Sequence, residues 1–294
     1  MYRDYRIVGV TPAGRKRYMQ LLVPYIMDNK HLFDEYRFWI NTNEPEDLAY
    51  IDELCSLHPD FFRKETLADS RPDLVSTSAR VQLIRHFFRN CTDNETIYMR
   101  FDDDICWIHP QAIQRLLDFR IDNPEPFLVY PAIINSGRTA YIHQVMGFNP
   151  ERLLKGWPGK GFNEFNLIKS PPEIAQRLHD AFLECVKQGH VDHLFFGRYF
   201  IRNYERVPIN CIAFYGRDFA TFEGIVGDDK DHWQEELWLT QVKARELGRP
   251  SCIWGQSLMA HFAFHTQRNH LEENTNLYLQ YKLLCAQRRA YITA

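Results

Sequence analysis

Short apolar and β-branched runs alternate with amphipathic stretches along the first half of the chain. The runs predict strands at residues 6–10, 36–40, 61–65, 96–101 and 127–134. The amphipathic stretches predict helices at residues 14–28, 45–57, 78–90 and 109–120. Because strands that alternate with helices are typical of βαβ units, the sequence predicts an α/β fold with a mostly parallel central sheet flanked by helices.

The second half opens with a segment of different composition. Residues 135–169 are rich in Gly, Asn, Pro and aromatic residues, which predicts an irregular segment with a functional role. Beyond it the pattern predicts strands at residues 207–215, 251–253 and 258–264, and helices at 171–188, 234–247 and 271–290. No linker rich in Pro, Gly or Ser divides the chain. We therefore expect one domain with two halves, residues 1–134 and 135–269, and a C-terminal helix within residues 270–294.

The charges of the chain are nearly balanced, with 35 basic and 38 acidic residues among 294. A domain that binds duplex nucleic acid is usually strongly basic, so we expect no nucleic-acid partner. No apolar run reaches the length of a membrane span, which is about 18 residues. The seven cysteines include no C-x-x-C pair. This pattern disfavours disulfides and zinc fingers and predicts a cytoplasmic location.

Three consecutive carboxylates, Asp102, Asp103 and Asp104, follow the predicted strand at residues 96–101. In a parallel sheet the ligand crevice lies at the carboxyl ends of the strands. Two carboxylates about 6 Å apart repel by roughly 3 kcal/mol at an effective dielectric near 20, so this group needs either open solvent or a cation. Mg²⁺ and Mn²⁺ prefer such oxygens and share them with substrate phosphates. The alternative interpretation is an acidic loop tip.

The surrounding residues, IYMRFDDDICWIHPQAIQRLL, resemble the strand–DxD–turn–helix segment of GT-A glycosyltransferases. The resemblance implies a GT-A-like fold and a divalent metal, Mn²⁺ or Mg²⁺, on the diphosphate of a nucleotide sugar. It implies that Asp102 and Asp104 are metal ligands and that Asp102 and Asp103 also contact the donor. The order of elements agrees with this family over roughly residues 5–265.

Further donor contacts are implied by the opening segment, RIVGVTPAGRKRY, which resembles the nucleotide loop of such enzymes. Thr11, Pro12 and Ala13 would lie near the base, and Arg15 or Arg17 would reach phosphate. Three more residues are implied contacts of the nucleoside or diphosphate, namely Asn43, Arg80 and Arg268. An Asn-rich turn and solvated basic side chains are the simpler interpretations of these positions.

The segment FEGIVGDDKDHWQEELWLTQVKARELGRPSCIWGQSLMAHF resembles the C-terminal part of inverting polysaccharide-synthase-type enzymes. It implies a carboxylate base, with Glu236 first and Glu235, Asp229 and Asp231 as alternatives, and His261 as the last metal ligand. His265 is the second choice for that ligand. The family pair usually ends in Asp, and the spacing to Gly248 is about one residue longer here, so the base stays open. An acidic first helical turn is the simpler interpretation.

Aromatic residues of the second half would form the wall that holds the acceptor, namely Tyr141, His143, Trp157 and Trp233. The resemblance then implies transfer of a sugar from a nucleotide-diphosphate sugar to a hydroxyl of a saccharide or lipid-linked acceptor, with a UDP-sugar as the first candidate donor. A pyrophosphorylase, a phosphatase-like enzyme and a non-catalytic binding module are the alternatives. The last helix, with Arg288 and Arg289, could give peripheral membrane contact. The oligomeric state and the sugar stay open.

Overall fold

A nine-stranded mixed sheet forms the centre of the structure, a computed structural model that describes residues 1–70, 83–148, 171–227 and 234–288. The strands are β1 (Arg6–Ala13), β2 (Glu35–Ile40), β3 (Phe62–Glu65), β4 (Thr96–Phe101), β5 (Ile105–Ile108), β6 (Val129–Ile134), β7 (Arg198–Ile201), β8 (Cys211–Tyr215) and β9 (Ser251–His261). They follow the order β3-β2-β1-β4-β8-β6-β9-β5, and β7 pairs with β9.

Helices flank this sheet. They are α1 (Lys16–Asp28), α2 (Pro45–Leu57), α3 (Leu67–Ser70), α4 (Ala112–Asp122), α5 (Gly137–Val145), α6 (Pro172–Lys187), α7 (Gly216–Ala220), α8 (residues 235–246), α9 (Arg268–Glu273) and α10 (Leu277–Gln287). The central part of α8, Trp238–Lys243, is π-helical. Gly248 follows it with a φ of +62°, the left-handed conformation in which a glycine commonly ends a helix. Among the described residues no helix is long and apolar enough to cross a bilayer.

The first four strands are parallel and lie in the order β3-β2-β1-β4. Gly9 allows β1 and β2 to pack closely, because a Cβ at this position would lie 2.2 Å from the ring of Tyr36. The strand order changes direction between β1 and β4. Such a switch point leaves a crevice at the carboxyl ends of the strands, where α/β sheets bind their ligands.

β9 joins the second half to the first. It runs parallel to β6 and antiparallel to β5 and β7. Its register sets Ile105 opposite His261, and the backbone N–H of Phe262 donates to the carbonyl of Asp104 at 2.9 Å. The end of β9 is therefore fixed beside the aspartates that follow β4.

The architecture confirms the expected fold class. The two longest ladders, β1 with β2 and β6 with β9, are parallel, and the helices pack on the sheet. One main hydrophobic core takes buried residues from both halves, from Ile7 to Cys285. The proposed limits of the halves at residues 134 and 269 stay predictions.

Several local predictions were wrong. Part of the segment expected to be irregular, Gly137–Val145, is helix α5, and residues 149–170 lie outside the described residues. The expected helix over residues 271–290 is two helices. The hydroxyl of Thr275 interrupts it, because this group donates a hydrogen bond to the carbonyl of Leu271 and accepts one from the backbone N–H of Leu277. In the predicted helix at residues 78–90, the part Ile84–Asn90 is a 3₁₀ helix. The two strands expected at 251–253 and 258–264 are one strand, β9. The sequence does not predict β7, because this strand is half exposed.

Candidate active site at the carboxyl ends of the strands

The three aspartates occupy the turn between β4 and β5. Asp102 is partly exposed, whereas the side chains of Asp103 and Asp104 are 5% and 3% exposed. The Asp103 carboxylate accepts hydrogen bonds from the backbone N–H of Gly14 at 3.2 Å and from Arg15 Nε at 3.1 Å. Burial raises the pKa of Asp103, and the charge of Arg15 opposes this rise. Since Gly14 and Arg15 connect β1 to α1, the aspartates lie in the crevice between β1 and β4.

The two oxygens of Asp104 face different groups. Oδ2 lies 3.0 Å from Arg15 Nη2 and 3.5 Å from Arg268 Nη2, and Oδ1 lies 3.1 Å from His261 Nε2. Burial acts to raise the pKa of Asp104, but His261 and the two arginines hold it well below its usual range. Asp104 is therefore an anion at physiological pH.

Asp104 Oδ1 and His261 Nε2 are spaced like two neighbouring ligands of one metal ion. Oδ1 is buried and, apart from its contact with His261, forms no hydrogen bond in the described part of the chain. Adjacent ligands of an octahedral ion with bonds of about 2.1 Å lie about 3 Å apart. One ligand atom from each of Asp102, Asp104 and His261 lies within 4.8 Å of the others. These three residues could therefore hold a divalent cation.

Arg100 and Asn210, which the sequence did not single out, hold Asp102. Arg100 Nη1 lies 2.9 Å from Asp102 Oδ1, and Asn210 Nδ2 donates to Oδ2 at 2.9 Å. A signal for Arg100 was present, since it is the one charged residue in the fully buried strand TIYMRF. A buried guanidinium needs an acidic partner. No comparable signal marks Asn210.

Glu235 shares Arg100 with Asp102. Arg100 Nη2 donates to Glu235 Oε1 at 2.9 Å, and Glu235 Oε2 is buried with no hydrogen-bond partner among the residues that are described. Burial raises the pKa of Glu235 to about 7, against the opposing charge of Arg100. The neighbouring Glu236 is 20% exposed and pairs with Arg206. Of the two glutamates at the start of α8, Glu235 is the one in contact with the aspartate site.

Tyr18 contacts both arginines that approach Asp104. The guanidinium carbon of Arg15 lies 5.0 Å from the centre of its ring and that of Arg268 lies 6.0 Å away. The Tyr18 hydroxyl donates to Glu272, which also pairs with Arg17 at 2.7 Å. This network fixes the start of α1 against α9, so the side chain of Arg17 is directed to Glu272 and those of Arg15 and Arg268 to the aspartates.

The other predicted donor residues are placed less favourably. Thr11, Pro12 and Ala13 are buried in β1, and the Thr11 hydroxyl is hydrogen-bonded to the Tyr36 hydroxyl at 2.6 Å. Asn43 is exposed just after β2, at the same edge of the sheet as the aspartates. His265, the second choice for the metal ligand, is exposed, whereas His261 is buried beside Asp104.

The predicted acceptor residues that the structure describes lie on α5. Tyr141 is half-buried, and His143 is buried with its Nε2 2.9 Å from the carbonyl of Leu194. Burial lowers the pKa of His143 to about 4, so this ring is neutral at pH 7. His143 also lines a cavity of about 60 Å³ beneath the end of β6. The remaining predicted site residues lie outside the described residues, and these are Arg80, Trp157, Asp229, Asp231 and Trp233.

Comparison with known proteins finds likeness only among solved structures. No family model and no curated protein matches the sequence. A mycobacterial protein aligns over 97% of this chain and 74% of its own, with 12% identity and a TM-score of 0.49. Glucosyl-3-phosphoglycerate synthase from Mycobacterium tuberculosis, solved with Mn²⁺ and uridine diphosphate, aligns over 64% and 68%, with 14% identity and a TM-score of 0.35.

A third structure is 4-diphosphocytidyl-2C-methyl-D-erythritol synthase from Anaerococcus prevotii, which aligns over 94% of this chain and 99% of its own. Its identity is 11% and its TM-score 0.45. In this chain itself, the D-x-D triplet directly follows β4, which is parallel to β1, and it lies at the point where the strand order changes direction. The chemistry has to be inferred from the side chains.

Proposed function

We propose that this protein is a metal-dependent glycosyltransferase. It would move a sugar from a nucleotide-diphosphate sugar to a hydroxyl of a saccharide or lipid-linked acceptor, with inversion at the anomeric carbon. A UDP-sugar is the first candidate donor. The observation that carries the proposal is the spacing of Asp104 Oδ1 and His261 Nε2, 3.1 Å apart beside Asp102 in the sheet crevice. The resemblance of the D-x-D segment supports a nucleotide sugar as the class of ligand.

Asp102, Asp104 and His261 would hold the cation, and the nitrogen ligand favours Mn²⁺ over Mg²⁺. When bound, the cation would neutralise charge on the leaving diphosphate. Arg15 and Arg268 approach the same carboxylate, and both side chains are partly exposed. A planar guanidinium suits phosphate oxygens, which supports a role for both arginines in binding the diphosphate. Asn43 remains a proposed nucleoside contact.

Glu235 is the proposed base in place of Glu236. Its carboxylate would take the proton of the acceptor hydroxyl while that oxygen forms the bond to the anomeric carbon. The electrons of the broken glycosidic bond leave with the diphosphate. A base is most effective when its pKa lies near the working pH, and Glu235, whose side chain is 13% exposed, meets this condition. Glu236 is bound by Arg206. Tyr141 and His143 remain proposed acceptor contacts.

A thermal-shift screen with product analysis tests the proposed function. A ligand that binds only the folded protein raises its Tm, so we expect a UDP-sugar to raise the Tm only when Mn²⁺ is present. With a saccharide acceptor, UDP should be released. Release of pyrophosphate from a nucleoside triphosphate and a sugar phosphate would instead indicate a pyrophosphorylase. A shift without any turnover would indicate a binding module, and no shift with any donor would contradict the proposal.

Arg15 is expected to oppose metal binding and to favour diphosphate binding. At an effective dielectric near 20, a positive charge about 5 Å from a divalent ion costs several kcal/mol. The variant Arg15→Met should therefore bind Mn²⁺ alone at least about tenfold more tightly, and bind UDP with Mn²⁺ more weakly. Electron paramagnetic resonance measures free Mn²⁺ in both titrations. Arg17→Met is the matched control because Arg17 pairs with Glu272 instead. Unchanged Mn²⁺ affinity in Arg15→Met would contradict this role.

A further inference from the structure

A second cavity, of about 200 Å³, lies at the far end of two elements that carry the candidate site. Helix α1 begins after Arg15 and lines this distal cavity with Tyr25 and Asp28 in its last turn. Strand β5 begins after Asp104 and lines the cavity with Trp107 and Ile108 at its end. A 13-residue helix is roughly 20 Å long, so the distal cavity is separate from the aspartates.

The walls of the distal cavity are mostly apolar. Trp107, Ile108, Val186 and Leu284 contribute aliphatic and aromatic surface from three different elements. The Trp107 ring is held edge-on against Phe182, with 4.9 Å between the ring centres. A concave apolar space with a rigid aromatic wall suits a flat organic molecule.

Tyr25 contributes a hydrogen-bond donor that has no partner. Its side chain lines the cavity and the residue is 4% exposed. No group within the described ranges forms a hydrogen bond with its hydroxyl. Burial raises the pKa of Tyr25 far above its usual range, so the hydroxyl keeps its proton. A buried hydroxyl without a partner is unfavourable, and an acceptor atom of a ligand would satisfy it.

His109 offers a second donor. Its Nδ1 accepts the backbone N–H of Gln111 at 3.2 Å. Burial, with a smaller effect of Arg115, lowers the pKa of His109 to about 4, so the ring is neutral at pH 7. A neutral ring that accepts at Nδ1 carries its proton on Nε2. Tyr25 and His109 therefore each offer the distal cavity an uncharged side-chain donor.

The charged groups argue against an anionic ligand. Arg288 Nε pairs with Asp28 Oδ2 at 2.7 Å, so the guanidinium already has a carboxylate partner. Asp192 adds a second carboxylate at the exposed rim. Since the lining carries two carboxylates and one guanidinium, an anion would enter against a net negative charge.

We propose that the distal cavity is a small-molecule site for a flat, uncharged heteroaromatic compound. Carbonyl or ring-nitrogen acceptors of the compound would meet the donors of Tyr25 and His109, and its rings would pack on Trp107. This proposal is independent of the proposed function, because it concerns other residues and its test measures binding alone.

Isothermal titration with quinolinone, a flat uncharged lactam, tests the proposal, and naphthoate provides an anion of similar shape. We expect quinolinone to bind and Tyr25→Phe to weaken its binding about tenfold, the equivalent of one hydrogen bond. Tyr25→Phe should also raise the Tm of the free protein, since it removes an unsatisfied hydroxyl. Leu284→Trp should fill the cavity and abolish binding. Leu279→Trp, at an exposed position of the same helix, should have no effect.

Three results would overturn the proposal. The first is no binding of quinolinone to the full chain at millimolar concentration. The second is equal affinity in the wild type and in Tyr25→Phe, a variant that keeps the ring and should fold normally. The third is tighter binding of naphthoate than of quinolinone.

Discussion

We expect Asp104→Asn to abolish Mn²⁺-dependent binding of the nucleotide sugar, with a loss of at least about 100-fold in the affinity for that ligand. The substitution keeps the shape of the side chain and removes the charge that faces His261, Arg15 and Arg268. Electron paramagnetic resonance measures bound Mn²⁺, and titration with UDP measures the nucleotide.

The control for this variant is Asp118→Asn, which removes a half-exposed carboxylate paired with Arg3. It should bind Mn²⁺ and UDP as the wild type does. Because Asp104 is buried, circular dichroism must show that Asp104→Asn is folded at the assay temperature. A folded Asp104→Asn protein with unchanged Mn²⁺ affinity would rule out the proposed metal centre.

Glu235→Gln should keep metal and donor binding and lower kcat by about 10²- to 10⁴-fold, the usual contribution of a general base. The same substitution at the next position, Glu236→Gln, should keep nearly full activity, because Glu236 pairs with Arg206, whereas the partner of Glu235, Arg100, also holds Asp102. The wild-type kcat should rise with pH through about 7, because only the ionised Glu235 can accept a proton. If Glu235→Gln turns over normally and Glu236→Gln does not, the base is Glu236.

The Glu235 carboxyl should also change the pH dependence of stability, which can be measured without an activity assay. Its pKa is about 7 in the folded chain and 4.5 as the ordinary value, so folding favours the protonated form. The stabilisation is complete below the ordinary pKa and is lost as the pH rises through the folded pKa. Glu235→Gln should therefore gain stability relative to the wild type between these two values, as measured by chemical denaturation.

Features with a local cause could be predicted from the sequence. The sequence predicts the D-x-D triplet at a strand end, because a mostly apolar run precedes it and a turn follows at once. The resemblance implies His261 as a metal ligand, and the register of β5 with β9 brings it to Asp104. Helix α2 begins and ends where the pattern indicates, since Pro45 starts it and the apolar spacing continues to Leu57.

Features that depend on distant contacts could not be predicted. The sequence marks Arg100 as a buried charge, but it does not identify the partner, because Glu235 reaches β4 from more than a hundred residues later in the chain. The choice between Glu235 and Glu236 is decided by which of two adjacent side chains faces the sheet, and helical periodicity resolves that only when the rotation of the helix is known. The resemblance implies Thr11 as a residue of the nucleotide loop, and it gives no indication that the partner of its hydroxyl, Tyr36, lies on the neighbouring strand.

The pairing of β9 with β5, β6 and β7 has a consequence for attempts to divide the protein. A cut near residue 134 would remove β8 from β4 and β9 from β5, and each fragment would carry an uncovered sheet edge. Such edges recruit other strands and promote aggregation. Two fragments expressed separately would precipitate or remain partly folded, and only co-expression would allow the missing ladders to form between chains. We therefore expect the chain to fold as one unit across the predicted boundary between the two halves.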